Sequence, residues 1–409
     1  MKIQKTFFYN QLQTNVEIND EMMEQVKNYF QVHQYSSIAS FNISELNNND
    51  HIRDAVLLVA SYRIRQTKMK ADYLQIEFTN CHGSVIGKVF DKKGSVRRVY
   101  DLLQSHVLFK VDGFVNEFQG MKSINIERLT PHKEPVNAIM FLPSTKLDVQ
   151  EMLFEMFVYL SEVEEPHRSI ALKALQVYWK EFSLKPAAKS KHHAYLHGLL
   201  KHTLGLMRLT RTIKEASSPV EGIFVLINIA QQAHQDFLLK HIDSESGTSY
   251  RSLTYADAFD HLYEMVHLLI ELGPHLIDWD LIIACELLHD IGKIFEYTHY
   301  GEAANKFDWL FPGLHSDGSM SQLKGGFDYD AIGKYLGHMT PGTLLLTSVV
   351  FKYKIPVSQE VMVKYQHCIL SHHGKAEWGS CIKPALPEAV ILHMCDFLDS
   401  RWEMDDEVS

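Results

Sequence analysis

The spacing of apolar residues changes period twice along the chain. Residues 19 to 34, NDEMMEQVKNYFQVHQ, repeat at helical intervals behind an Asn/Asp start and predict a short N-terminal helix. AVLLVASYRIRQ (55 to 66), DYLQIEFTN (72 to 80) and SVIGKVFD (84 to 91) then alternate or run in β-branched and aromatic residues, separated by turn-like KMKA and CHG. A helical GSVRRVYDLLQ follows. Two more strand patterns, HVLFKVDGFVNEF (106 to 118) and KSINIERL (122 to 129), meet at a Gln119-Gly120 turn. Residues 131 to 148 carry three prolines and no sustained period, which suits a linker. From 149 onward the pattern is helical. Pro166 divides VQEMLFEMFVYLSEVEE from HRSIALKALQVYWKEF, and further helices are predicted around 192 to 214, 253 to 272, 279 to 296, 342 to 352, 358 to 371 and 386 to 402.

Five strands with a helix between the third and fourth is the order of an OB barrel, a fold that often binds single-stranded nucleic acid, although many small barrels share the pattern. If Leu74, Ile76 and Phe78 point inward, Tyr73 and Gln75 point out, and on the next strand Lys88 and Phe90 share the outer face with Ile86. An aromatic beside a lysine can stack a base, which makes Tyr73, Lys88 and Phe90 candidate contacts; a solvated face with a chance aromatic fits equally well. Between 51 and 131 there are 13 Lys/Arg and 8 Asp/Glu, a basic surplus inside a chain of net charge −10. Polyanion binding is expected at this domain rather than over the whole surface.

The chain has 409 residues, 46% hydrophobic and 22% charged, enough for a sizeable core and two domains. It has no run of 18 uncharged apolar residues, and MKIQKTFFYNQLQTNVEIND lacks the features of a signal peptide, so no membrane segment and a cytoplasmic location are expected. The five cysteines, Cys81, Cys285, Cys368, Cys381 and Cys395, include no C-x-x-C pair and read as reduced thiols. Histidine is the outlier, with 23 residues.

"CELLHDIGKIFEY", residues 285 to 297, sets His289 and Asp290 side by side in an apolar run. Burying a carboxylate there costs several kcal/mol unless a cation or metal compensates it. Adjacent helical residues point about 100° apart, so both side chains can reach one cation lying between them. A half-exposed polar pair is the competing reading. Further donors stand in apolar segments elsewhere: His202 in "GLLKHTLGL", His338 in "YLGHMTPG", His372 and His373 in "ILSHHGKAEWGS", and Asp396 in "ILHMCDFLD". Any one of these, alone, is more simply a core residue; together they suggest a metal site.

The order His202, His289-Asp290, His338, His372-His373, Asp396 resembles the HD-domain phosphohydrolases in their extended, two-metal form. "KPAAKSKHHAYLHGLLKHTLGL", "LLHDIGKIFEY", "YLGHMTPG" and "ILSHHGKAEWGSCIKPALPEAVILHMCDFLDS" are similar to segments of the YhaM-type 3′-to-5′ exoribonucleases, which carry an OB domain ahead of the HD domain. The resemblance covers roughly residues 50 to 402. It implies an α+β multidomain protein: an N-terminal helical extension (1–45), an OB-like β-barrel (46–131), a linker (132–148) and an all-α HD domain (149–409) with insertions near 215–275 and 300–334.

The same resemblance implies that His202, His289, Asp290, His338, His372 and Asp396 ligate metal, with Asp290 also catalytic and His373 an alternative ligand or its support. Lys293, on the same helical face, can reach a phosphate oxygen, a solvated lysine being the competing reading. Lys189 and the paired His192 and His193 take a substrate-side role, while His367 and His393 match nothing in the family and default to structure. A mixed His/carboxylate set suits Mn²⁺, Fe²⁺ or Zn²⁺, and the family favours Mn²⁺, as one ion or two. The expected reaction releases nucleoside 5′-monophosphates from the 3′ end of single-stranded RNA, or DNA. The 87-residue interval between His202 and His289 and the Gly-rich stretch before His338 depart from the family. They leave open an HD enzyme acting on a smaller nucleotide; a non-catalytic nucleic-acid-binding module is the other alternative. Oligomeric state is not legible in the pattern.

Overall fold

The structure, a computed structural model, describes residues 1–33, 41–67, 69–118, 120–133, 138–189, 193–241, 255–275, 277–299, 307–311 and 327–402. The chain opens on a hairpin, β1 (Lys2–Phe7) and β2 (Leu12–Glu17), before helix α1 (Asp20–Tyr29). The α1 helix is the one predicted; Asn19 caps it by accepting from the Met22 amide. The hairpin ahead of α1 was not among the expected elements of residues 1–45. The two strands are only six residues each, too short and too polar for the alternation to stand out. Their inward residues Ile3, Phe7 and Val16, with Val26 and Phe30 beyond, are buried in the core of the helical domain, not in the barrel.

Alternating apolar residues build the barrel from β3 (His51–Gln66), β4 (Asp72–Asn80), β5 (Gly83–Phe90), β6 (Leu108–Phe118) and β7 (Met121–Pro131), with α2 (Ser95–Leu103) after the third of these strands. The 16-residue β3 serves both neighbours, pairing with β6 along its first half and β4 along its second. A parallel pairing of β5 with β7 closes the order β3-β4-β5-β7-β6. Register shifts in β3 at Ile52/Ala55 and Val59/Ser61 supply the bends that closure needs. Leu74, Ile76 and Phe78 fill the interior as expected, joined by Val85 and Val89. This is an OB-like barrel.

The linker does more than tether. Its Ile139, Phe141 and Leu142 form a small core with Leu58 and Val107 of the barrel and Leu196 of the helical domain. Helices α3 (Val149–Glu162) and α4 (His167–Phe182) follow, divided at Pro166 as predicted. Next come α5 (Gly198–Glu215), α6 (Pro219–His241), α7 (Ala256–Leu272), α8 (Trp279–Leu288), α9 (Lys293–Glu296), β8 (Tyr297–His299), α10 (Phe307–Leu310), β9 (Phe327–Tyr329) and α11 (Ala331–Leu336). The chain ends on α12 (Met339–Tyr353), α13 (Gln359–Ser371) and α14 (Pro387–Trp402). Every residue of α8 from Leu281 to Leu288 is buried, and the helix touches α3, α4, α5, α13 and α14, so it forms the hub of the domain. Among the described residues no helix is long and apolar enough to cross a membrane.

The single helix predicted over 279 to 296 is instead two. α8 stops at Leu288, and residues 289–292 turn before α9 begins. Gly292 makes the turn fit: a Cβ there would lie 1.8 Å from the His338 carbonyl oxygen and 2.8 Å from the Gly342 nitrogen. Gly292→Ala is expected to cost about 1–3 kcal/mol of stability, the usual penalty of overpacking, and to displace His338. A lowered denaturant midpoint with unchanged slope would show the first effect; reduced metal content in the folded variant would show the second.

Candidate metal centre

The turn after α8 brings the imidazole of His289 and the carboxylate of Asp290 to one point, with His289 Nε2 3.3 Å from Asp290 Oδ2. The two Asp290 oxygens face different neighbours. Oδ2 lies 3.5 Å from His202 Nε2 on α5, while Oδ1 lies 3.2 Å from His338 Nε2 and 3.6 Å from His372 Nε2. On α14, Asp396 Oδ1 approaches His202 Nε2 to 3.3 Å. Donor atoms of His202, His289 and Asp396 fall within 4.8 Å of one another, as do those of His289, Asp290 and His372 and those of His338, His372 and His373. Residues scattered over almost two hundred positions thus form two adjoining donor sets with Asp290 between them.

How each imidazole is held decides what the cluster can do. His202 Nδ1 lies 2.5 Å from Asp399 Oδ2, His289 Nδ1 2.8 Å from the Glu286 carbonyl, His338 Nδ1 2.6 Å from Glu296 Oε2, and His372 Nδ1 2.7 Å from the Ile369 carbonyl. With an acceptor fixed on Nδ1, each ring presents Nε2 inward, which is how histidines are oriented for a metal. His289 Nε2 and Asp290 Oδ1 are buried and make no hydrogen bond. Leaving such groups bare costs about 1–3 kcal/mol each, so the donor set fits a cation that would satisfy them.

The electrostatics agree. Burial opposes ionisation of Asp290, but Lys293 and His289 beside it hold its carboxyl well below the usual range. Burial also works against charge on His202; the Asp399 and Asp396 carboxylates prevail and push its pKa up to about 10. His373 is driven down to about 2 by burial, with His372 and His338 adding to the effect. A charged Asp290 and an uncharged His373 are the protonation states that metal binding requires, whereas His202 must give up a proton to ligate.

The other expected residues are placed as follows. His373 packs against its neighbour, ring centroids 4.3 Å from His372 and 5.1 Å from His338, with its buried Nδ1 lacking a hydrogen bond. Lys293 is buried and turned inward: its Nζ lies 2.5 Å from Asp290 Oδ2 and donates to the Ala187 carbonyl. The substrate-side reading of His193 is corrected. It is fully buried behind His202, with Nε2 3.1 Å from Asp399 Oδ2 and Nδ1 2.8 Å from the Tyr195 hydroxyl, because a turn at 193–197 precedes α5 where a longer helix was predicted. His192 lies outside the described residues. Lys189 is exposed with its ammonium 4.9 Å from the Tyr329 ring centre. Tyr73 and Phe90 face each other across β4 and β5, rings 5.6 Å apart, with Lys88 opposite Gln75 two register pairs along, so the expected barrel contacts lie together on one outer face.

Sequence reasoning missed Asp399 and Glu296, the two carboxylates that hold His202 and His338. Asp399 carried a usable signal, three residues after Asp396 on one helix. Glu296 carried none, because its contact depends on the turn at 289–292.

No family model matches this chain. It is similar to the 3′-5′ exoribonuclease YhaM of Bacillus subtilis (strain 168), 25% identical over 356 residues that cover 86% of each protein. The YhaM of Listeria monocytogenes serotype 4b is 23% identical over 358 residues, 87% of each, and that of Shouchella clausii 26% over 301 residues, 72% of this chain and 68% of that protein. In each case the similarity spans more residues than either the barrel or the helical domain contains.

Proposed function

We propose that the chain is a metal-dependent 3′-to-5′ exonuclease of the HD type that shortens single-stranded RNA, and DNA less readily, to nucleoside 5′-monophosphates. The observation that carries the reading is the orientation of four imidazoles around Asp290, each pinned through Nδ1. In this reading His202, His289, Asp290 and Asp396 would hold one divalent cation and Asp290, His338 and His372 a second, with His373 in reserve. Mn²⁺ is the ion such mixed donors and the YhaM resemblance favour, ahead of Fe²⁺ or Zn²⁺. A bound divalent cation supplies Lewis acidity and lowers the pKa of water from 15.7 to about 7. Lys293, with two of its three N–H groups committed to Asp290 and Ala187, keeps one for a phosphate oxygen. Metal loading would displace the proton that Asp396 and Asp399 hold on His202. Tyr73, Phe90 and Lys88 on the barrel stack and neutralise the strand upstream. All five cysteines are free thiols, in keeping with a cytoplasmic setting.

The test is a 5′-labelled single-stranded RNA incubated with Mn²⁺ beside a covalently closed circle of the same sequence. The linear strand is expected to give a ladder shortening one nucleotide at a time, blocked by chelator, while the circle resists. Cleavage of the circle, or release of the labelled nucleotide at once, overturns exonucleolytic 3′-to-5′ action.

A further inference from the structure

Of the donors in the cluster, His202, His289, Asp290 and His372 are fully buried, whereas the Asp396 side chain keeps 16% of its surface open and His373 is also partly exposed. The open side of the centre is therefore the side of Asp396 and His373. That side carries two cations on one aromatic platform: Lys375 Nζ stands 4.9 Å from the Trp378 ring centre, and the Arg401 guanidinium stands 5.6 Å from Trp378 and 3.6 Å from Phe397. Arg401 is exposed and near enough to Asp396 for the two charges to interact. Lys375 is only loosely engaged, 3.6 Å from Glu264, whose carboxylate is 64% exposed.

The backbone fixes this pair to the metal donors. Lys375 and Trp378 lie on the loop that leaves His372 and His373, and that loop folds back through the Ser380 amide to the Lys375 carbonyl. Arg401 and Phe397 lie on α14, the helix that carries Asp396. Packing from α7 stiffens the platform, since the His261 ring meets Trp378 edge-on at 4.6 Å and approaches His393, which bonds the His372 carbonyl. A cation–π contact costs little to rearrange at an exposed site, about 0.5–1 kcal/mol, so either cation can turn to an incoming anion.

We propose that Lys375 and Arg401, seated on Trp378, form the subsite that takes the backbone phosphates of the strand next to the scissile linkage. The inference rests on the exonuclease reading above and adds the residues that hold the polymer. A small diester that ends at the metals has no phosphate to offer this pair. The subsite therefore separates polymer from small substrate.

The experiment compares the full chain with Lys375→Ala/Arg401→Ala and with Trp378→Ala, on a 5′-labelled single-stranded RNA and on bis(p-nitrophenyl) phosphate, with Mn²⁺. For the double variant, kcat/KM on RNA is expected to fall at least tenfold relative to kcat/KM on the small diester, through KM. The salt slope of RNA binding should become shallower by about 0.7 per cation removed. Trp378→Ala, which keeps both charges but frees them, should raise KM with the slope retained, and Arg401→Lys should recover much of the loss. Metal content by elemental analysis and circular dichroism accompany each variant, so loss of the centre or of the fold is read separately. Equal loss on both substrates, or an unchanged RNA KM in folded, metal-loaded variants, overturns the subsite. Failure of the unaltered chain to shorten RNA from the 3′ end while it cleaves the small diester overturns the exonuclease reading itself.

Discussion

Asp290→Asn is expected to lose bound metal and, with it, hydrolysis by on the order of 10³-fold or more. Its two oxygens serve both donor sets, Oδ2 toward His202 and His289 and Oδ1 toward His338 and His372, so no other side chain removes so much at once. Asn keeps the shape but offers one acceptor and one donor, and the donor would point an N–H at imidazole nitrogens or at the ion. Losing several kcal/mol of Lewis-acid stabilisation, at 1.36 kcal/mol per tenfold, gives that magnitude. The substitution leaves the buried Lys293 without its partner and costs stability, but the Ala187 carbonyl and the nearby Asp396 and Glu296 carboxylates still support that ammonium, so the fold should survive. Elemental analysis, circular dichroism and the RNA ladder together check the result. Full metal content with full activity would refute the metal-centre reading.

The barrel was legible because its chemistry is local. Leu74, Ile76 and Phe78 alternate with Tyr73, Gln75 and Glu77, and a period of two has one structural meaning when turn residues bound it. The hairpin at the N-terminus was not legible: Ile3, Phe7 and Val16 gain their burial from α3, some 140 residues on, where Thr14 Oγ1 meets the Tyr159 hydroxyl at 2.6 Å. Tertiary packing decides such segments, and local propensity does not carry that information.

The site divides the same way. Donor identities could be picked out because a charged or ionisable residue in an apolar run demands an explanation, and His202, His289, Asp290, His338, His372 and Asp396 all converge. Directions could not be read from spacing. His193 shares its segment with the donors yet turns to the back of His202, since the chain runs through a left-handed conformation at residue 193 (φ 49°) and again at 197 (φ 68°) before α5 starts. Nor could helical periodicity foresee that α8 ends at the histidine itself, which depends on a glycine fitting under the His338 carbonyl. The interval between His202 and His289 read as an insertion of unknown use. Part of it, α7, packs through His261 against His393, which bonds the His372 carbonyl.

Asp399→Asn should weaken metal binding about 10- to 100-fold while leaving activity recoverable at raised Mn²⁺, the pattern of a group that orients a ligand without being one. Asp399 is fully buried, and its Oδ2 lies 2.5 Å from His202 Nδ1 and 3.1 Å from His193 Nε2. A single oxygen serving two rings requires each to turn an N–H toward it, and this fixes His202 with Nε2 facing Asp396. The neighbouring helix leaves room for the carboxylate: a Cβ on residue 205 would lie 2.1 Å from Asp399 Oδ1, and residue 205 is glycine. In the Asn variant the remaining oxygen can still accept from both rings, with the amide N–H₂ toward Gly205, but the charge that makes His202 a more basic donor and holds its Nδ1–H in place is gone. Titrating activity against Mn²⁺ concentration separates the cases. A rightward shift with an undiminished plateau is the expected outcome, in contrast to Asp290→Asn, whose plateau itself collapses. An unshifted curve would mean that His202 holds its orientation by packing alone, and a lowered plateau that no Mn²⁺ restores would put Asp399 among the reacting groups.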